Sequence, residues 1–401
     1  MSKLNRRSFL KAVGIGAGAA VGTRLAGPGI MGDALAQNSG TGKGAVLFIY
    51  LGGGYNALFG SARSFMGTAF GVTAGNTTQV PGGGPLVDAS LGRLPALALA
   101  KTSTVQINHR SSDHGGGQRG GMSEGGPVGF AIQLAAAMGG DASIKLATVG
   151  GGNVNGLAGT MDGVSVQNIG DVRSTIDALK GNDTLPDRGI SGKAIEGSQS
   201  MSAGRLASSP KGLQHLKDGY DTVRATLAKS PAAYDYASIL PGYGITTGTA
   251  VNNFNAKLAA AELMIRSGTN VVFATDGGWD THGDRDGTNV RNMMNTRIIP
   301  PLITFFNRMW GPGNTEGIAR NVNVVIMGDF ARSLPGSDHA TGCAATIIGA
   351  NVKVDGFQQV TANVGFDPNR PSGRGFFSLL SALVKAPGAP FGANAHPTLI
   401  G

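Results

Sequence analysis

The sequence predicts an α/β protein with a mostly parallel central sheet covered by helices on both faces. Continuous apolar runs such as 45–51 (AVLFIYL) and 321–327 read as strands buried on both sides. Segments with helical spacing alternate with them, most clearly Val251, Phe254, Leu258, Ala261 and Ile265. Acidic residues and histidines gather just past the strands, in GGWDTHGD (277–284), MGDFARS (327–333) and SDHATG (337–342). That is the edge where open α/β sheets place their sites.

In chain order, the strand at 45–51 runs into Gly52-Gly53-Gly54, and a short helix at 94–101 leads to a strand at 104–108. A long Gly-rich loop carrying His109, Asp113 and His114 follows, then a helix at 127–138 and a strand at 145–149. From 153 to 248 the pattern weakens into Asn, Gly and Ser segments with helices near 171–180 and 211–229, which reads as a cap or insertion over the sheet edge. Strong periodicity resumes at Val251. A strand at 270–274 precedes a helix at 289–310 that Pro300-Pro301 interrupts, with Asp284 and Asp286 as caps or turn formers before it. Strands at 321–327 and 344–350 and a helix at 375–385 close the chain. No internal repeat is present, and residues 37–401 read as one domain.

Composition bounds the function. The 67 glycines and only 14% charged residues suit a fold of many tight turns and long polar loops. At the N-terminus, NRRSFLK (5–11), a Gly/Ala-rich apolar stretch and Ala34-Leu35-Ala36 resemble a bacterial twin-arginine signal spanning 1–36. The expected consequences are handling by the twin-arginine translocation machinery, a periplasmic or secreted location and no stable membrane anchor. The leader holds five basic residues against Asp33, so its removal lowers the formal charge from +9 to +5. The remaining cations are scattered, without the basic patch that nucleic-acid binding requires. Cys343 is the only cysteine, which excludes an internal disulfide, and its apolar neighbours predict a buried thiol. His215 and His396 lack acidic company and read as surface residues. GIGAGAAVG (14–22) lies in the leader with no strand before it, so it does not announce a dinucleotide. The LGGGYN glycines would let the backbone approach a ligand.

Asp276, Asp280 and His282 follow the strand at 270–274, Asp329 ends the strand at 321–327, and Asp338 and His339 feed the next strand. Carboxylate and imidazole together suit a divalent metal, zinc or manganese above others. Ser111 and Ser112, in HRSSDHGGG, are candidate nucleophiles, with turn formation as the alternative. His114 is a candidate extra ligand or acid/base, and Arg332 could clamp a tetrahedral anion or form a surface ion pair.

The leader, the first strand followed by Gly-Gly, GWDTH, the strand into GDFARS, and SDHATG together resemble the exported bacterial family called domain of unknown function 1501. That family is similar to the alkaline phosphatase and sulfatase superfamily. The resemblance implies an alkaline phosphatase-like fold and a metal held by Asp280, His282 and His339. Asp329 matches one ligand of a second metal in that superfamily. Phe330 stands where its partner His would be, and Tyr55-Asn56 where an acidic ligand is expected. The implied activity is metal-assisted hydrolysis of a small anionic phosphate or sulfate ester, with a degenerate second metal site. The alternative is a non-catalytic exported binding or structural protein that keeps the fold.

Overall fold

The computed structural model describes residues 44–140, 142, 144–172, 200–201, 204, 239–248, 250–311, 321–365 and 367–401. The expected leader, nearly all of the helix near 171–180, the helix near 211–229 and His215 lie outside the described residues.

Among the described residues seven strands build the main sheet: β1 (Ala45–Leu51), β2 (Thr102–Asn108), β3 (Leu146–Val149), β4 (Gln167–Ile169), β5 (Val271–Asp276), β6 (Val322–Gly328) and β7 (Gly342–Ile348). Their spatial order is β2-β7-β6-β1-β5-β3-β4. The pairs β1–β5, β1–β6, β5–β3 and β3–β4 are parallel, while β7 runs antiparallel to both β2 and β6. The α/β architecture is therefore as expected. β1 lies at the centre with all seven residues buried, which its unbroken apolar run requires.

Alternation along β1 separates two cores. Leu47, Ile49 and Leu51 face α3 (Phe254–Arg266) and α4 (Ile299–Trp310). Val46, Phe48 and Tyr50 share the other core with Met122 of α1 (His114–Met122) and with α2 (Phe130–Met138) and α5 (Gly373–Leu383). Phe48 stacks on Phe273 of β5 with centroids 4.3 Å apart, welding the two central strands on that face. Among the described residues no helix is long and apolar enough to cross a membrane.

The reversal of β7 explains how distant segments converge. Because β7 is antiparallel, its first residue, Gly342, pairs with Asn108 at the end of β2. The loop before β7 and the loops after β1, β2, β5 and β6 thus share one edge.

Four expectations change. The Gly-rich segment after β2 is not all loop: His114–Met122 is helical, capped by Asp113, whose Oδ1 accepts from Gly116 N at 2.6 Å. Its glycines serve close packing, since a Cβ on Gly117 would sit 2.5 Å from the Asp329 carbonyl oxygen and one on Gly120 2.8 Å from His109 Cβ. Pro300-Pro301 do not break the helix near 289–310. A helical turn at Thr288–Met293 and a π segment at Met294–Ile298 precede them, and the prolines open α4, where a missing N–H costs little. The glycines of LGGGYN approach protein rather than ligand, because a Cβ on Gly53 would lie 2.3 Å from Asp280 N and one on Gly54 2.9 Å from Arg332 Cγ. Finally, His396 is 1% exposed instead of lying on the surface, packed where Gln358 Nε2 meets its Nδ1 at 3.0 Å.

Other expectations stand. Asp284 accepts from Asn289 N and Val290 N, and Asp286 from Thr288 N, as helix-starting caps. Cys343 is buried, and burial pushes its thiol up to about 12.

Burial pulls the His396 pKa down to about 4, and the charge of Arg370 acts in the same direction. A folded pKa below the unfolded value near 6.5 means that acid favours the unfolded chain. Stability is unaffected above about pH 6.5 and is lost as pH falls toward 4. His396→Leu should remove on the order of 3 kcal/mol of this loss at pH 4. Urea unfolding of both proteins at pH 7 and pH 4 measures the difference.

Candidate metal centre

At the shared sheet edge, His114, Asp280 and His339 form a group whose ligand atoms all lie within 4.8 Å of one another. The three come from the start of α1, the loop after β5 and the strand segment Asp338–His339 before β7. His114 Nε2 is 3.6 Å from Asp280 Oδ2. His339 Nε2 is 3.8 Å from Asp280 Oδ1.

Each histidine is fixed through its other nitrogen. His114 Nδ1 lies 2.7 Å from Asp329 Oδ2, and with Nδ1 as the donor the neutral ring presents the lone pair of Nε2. His339 Nδ1 donates to the Ser112 carbonyl at 2.7 Å, which leaves its Nε2 free of a proton as well. This is the arrangement of metal-binding histidines, in which a carboxylate or carbonyl behind the ring sets tautomer and direction. The Phe330 ring stacks on His339 with centroids 3.9 Å apart and holds the imidazole plane.

Asp329 stands behind the group rather than within it. Its Oδ2 also accepts from Gly53 N at 3.1 Å and its Oδ1 from Gln118 Nε2 at 2.9 Å, so both oxygens already have protein donors. Expected as a ligand, it lies outside the group and holds His114 through its carboxylate. In the group His114 stands where His282 was expected beside Asp280 and His339, and Gln118, one helical turn further along α1, is a neighbour of the group that sequence reasoning missed. Their spacing of four on one capped helix was the available signal.

His282 flanks the group. Its Nε2 is 3.3 Å from Asp280 Oδ1 and its Nδ1 3.5 Å from Asp338 Oδ1, with its ring centroid 4.5 Å from that of His339. It is half exposed and sits on the solvent side.

Arg332 is neither an anion clamp nor a surface ion pair. Its side chain is fully buried, with Nε and Nη2 donating to the Gly53 carbonyl at 2.8 and 2.7 Å and Nη1 to the Ser337 carbonyl at 2.7 Å. Nη2 also donates to Asp280 Oδ1 and meets His339 Nε2 at 3.2 Å. Burial raises the pKa of Asp280, but the charge and hydrogen bond of Arg332 outweigh that and hold it below the usual carboxylate range. Burial lowers the pKa of His339, and the charge of Arg332 adds to this against the opposing hydrogen bond to Ser112.

The serines divide. Ser111 Oγ donates to Asp113 Oδ2 at 2.7 Å and accepts from Asp113 N, a local turn that braces the α1 cap. Ser112 reaches the cluster through its carbonyl, and its residue is exposed. Asp276 is structural, accepting from Trp279 Nε1 and Arg297 Nη2. Tyr55 turns into the core, its hydroxyl 2.7 Å from Thr346 Oγ1.

Comparison with known proteins adds a family match over part of the chain. Residues 215–369 match the profile described as "Protein of unknown function (DUF1501)". The family resemblance read from the sequence holds over that segment, which contains Asp280, His282, Asp329, Arg332 and His339. No curated protein matches the chain. Among solved structures, alkaline phosphatase from the Antarctic bacterium TAB5 is similar at 11% identity and a TM-score of 0.34, over 86% of this chain and 98% of that one. A mutant of that enzyme with Mg bound in its M3 site gives 12% identity and a TM-score of 0.32 over the same shares. Likeness at this distance assigns no chemistry to individual residues.

Arg332→Met should strand the buried carbonyls of Gly53 and Ser337 and destabilise the fold by about 2–4 kcal/mol. The expected signature is a lower urea midpoint with an unchanged slope. Arg332→Lys should restore only part, because an ammonium lacks the planar fork.

Proposed function

We propose that this chain holds one divalent cation, zinc or manganese, at His114, Asp280 and His339 and is a metal-assisted hydrolase of small phosphate or sulfate esters. The observation that supports it most is the pairing of two imidazoles, each anchored at Nδ1, with a carboxylate at one sheet edge. The donor set fits. Two neutral imidazole nitrogens and a carboxylate oxygen make a common three-ligand set for zinc that leaves a position for water or substrate. Arg332 engages Asp280 Oδ1, so Oδ2 remains for the cation, while His339 Nε2 must give up its contact with Arg332.

A cation in this place supplies Lewis acidity toward the ester oxygen and lowers the pKa of water. Asp329 keeps His114 in the Nδ1–H tautomer and stabilises positive charge near its ring. Arg332 fixes Asp280 and lends a permanent positive charge beneath the group. His282, at the solvent side, is placed to move a proton between the site and the leaving group, with Asp338 steadying it. Ser112, exposed beside His339, is the better placed of the two serine nucleophile candidates.

The reading includes export by the twin-arginine route, supported by NRRSFLK and the small-residue site at Ala34-Leu35-Ala36. Replacing Arg6 and Arg7 together with lysine should retain the protein in the cytoplasm, as cell fractionation would reveal.

Purified wild-type protein should contain about one equivalent of zinc or manganese by elemental analysis, and His114→Ala and His339→Ala should contain none. Asp329→Asn should keep the fold and weaken metal affinity about 10- to 100-fold. A metal-free wild type defeats the metal reading. Stoichiometric metal without turnover of any phosphate or sulfate ester would favour the binding-protein alternative, which the replacement of second-site ligands by Phe330 and Tyr55 supports.

A further inference from the structure

Strand β2 stands last in the order of the main sheet, yet all seven of its residues are buried. An edge strand presents N–H and C=O groups that no neighbouring strand takes, so other parts of the chain must take them. Two segments do so here. The Asn108 N–H donates to the Pro371 carbonyl at 2.9 Å, and the Thr104 carbonyl accepts from Gln358 N at 2.8 Å. Between them the Gln106 N–H donates to the side-chain Oε1 of Gln358 at 3.0 Å. Gln358 thus covers the edge twice, once with its backbone and once with its amide.

The direction of that amide follows from donor and acceptor chemistry. A backbone N–H only donates, so Gln358 turns Oε1 toward Gln106 and Nε2 toward His396 Nδ1, which lies 3.0 Å away. The amide nitrogen also only donates, so Nδ1 accepts and the ring proton sits on Nε2. His396 is 1% exposed, and its Nε2 has no partner among the described residues. The bonds therefore run one way, from Gln106 through Gln358 to His396.

His396 joins two segments that hold each other. Lys353 N donates to the Leu399 carbonyl at 2.9 Å, Val352 forms a bridge with Ile400, and a Cβ on Gly356 would lie 1.7 Å from the Thr398 carbonyl oxygen. The strap over β2 is consequently seated on the C-terminal segment.

A proton reverses this chain of bonds. An imidazolium has two donors and no acceptor, so its Nδ1–H would face the Gln358 amide nitrogen, donor against donor. Turning the amide satisfies His396 but sets the NH₂ group against the Gln106 N–H. Either way a buried donor loses its acceptor, and the ring carries a poorly solvated charge. Burial accordingly lowers the His396 pKa to about 4, with the charge of Arg370 adding to it. Arg370 in turn has its Nε 3.4 Å from Asp367 Oδ2. The other groups set against this segment, Gln358, Asn394 and Ser378 of α5, are uncharged.

We infer that Gln358 and His396 form a proton-operated latch: protonation of His396 releases the strap at 354–360 and uncovers the edge of β2. An uncovered edge strand is a template for pairing with another chain, so the latch sets when this edge is available. None of its residues belongs to the candidate metal centre, and the inference does not rest on the metal reading.

Hydrogen exchange of the full chain at pH 7 and pH 5, corrected for the intrinsic effect of pH on exchange, tests it. Peptides spanning 102–108 and 354–360 should be less protected than β1 at both pH values, and their protection should fall about tenfold or more on acidification. His396→Gln keeps an acceptor that does not titrate and should abolish most of this fall. Gln358→Glu should abolish it too, because a carboxylate accepts from Gln106 and from protonated His396 alike. Thermal melts at pH 7 verify that each variant folds, and either variant alone decides. Protection equal to that of β1, which means opening only with the whole fold, would overturn the inference. So would protection that acid leaves unchanged in the wild type, or an undiminished acid fall in a folded variant.

Discussion

The buried guanidinium of Arg332 joins the loops on which the candidate site depends. It takes the carbonyl of Gly53 after β1, the carboxylate of Asp280 after β5 and the carbonyl of Ser337 before β7. Burying a charge is costly unless hydrogen bonds offset it, and here the planar fork distributes its donors among three segments. The neighbouring glycines belong to the same constraint, since a side chain at Gly53 or Gly54 would push the first loop off Asp280 or Arg332. The reversed strand β7 brings the last loop within reach. One cation thus organises an edge where the sequence alone suggested only separate acidic and histidine motifs.

Arg332 also shapes the chemistry proposed for that edge. It sets positive charge against Asp280 and His339; burial lowers its pKa, and the charge and hydrogen bond of Asp280 work against that lowering. Asp280 answers with a second oxygen directed toward His114. Phe330 and Tyr55, which replace ligands expected by resemblance, have other work here: Phe330 supports the His339 ring, and Tyr55 bonds Thr346 in the core. These contacts suit the single-cation site proposed above.

Much of the fold was legible because its strands are unbroken apolar runs and its helices have clear periodicity, as β1 and α3 illustrate. The grouping of Asp280 and His339 was also legible, since both follow or precede strands at one edge. Other features depended on contacts that no local pattern announces. The burial of Arg332 comes from backbone carbonyls distant in sequence, and the burial of His396 from Gln358 and the C-terminal packing. The helix α1 was hidden by its composition, because glycine normally argues against helix and here marks close approach to the Asp329 loop. With that helix unseen, His114 and Gln118 could not be placed on one face, nor Asp329 behind them.

The composition of α1 bears on how long a bound ion would stay. Five of its nine residues are glycine, each costing about 1 kcal/mol of helix propensity relative to alanine. Such a segment has little reason to remain helical when it is undocked, and nine residues are too few to persist alone. Under the proposed metal reading, His114 is a ligand only while α1 is seated against β7 and α5. Ion exchange would then follow the opening rate of this one segment, on a clock set apart from global unfolding.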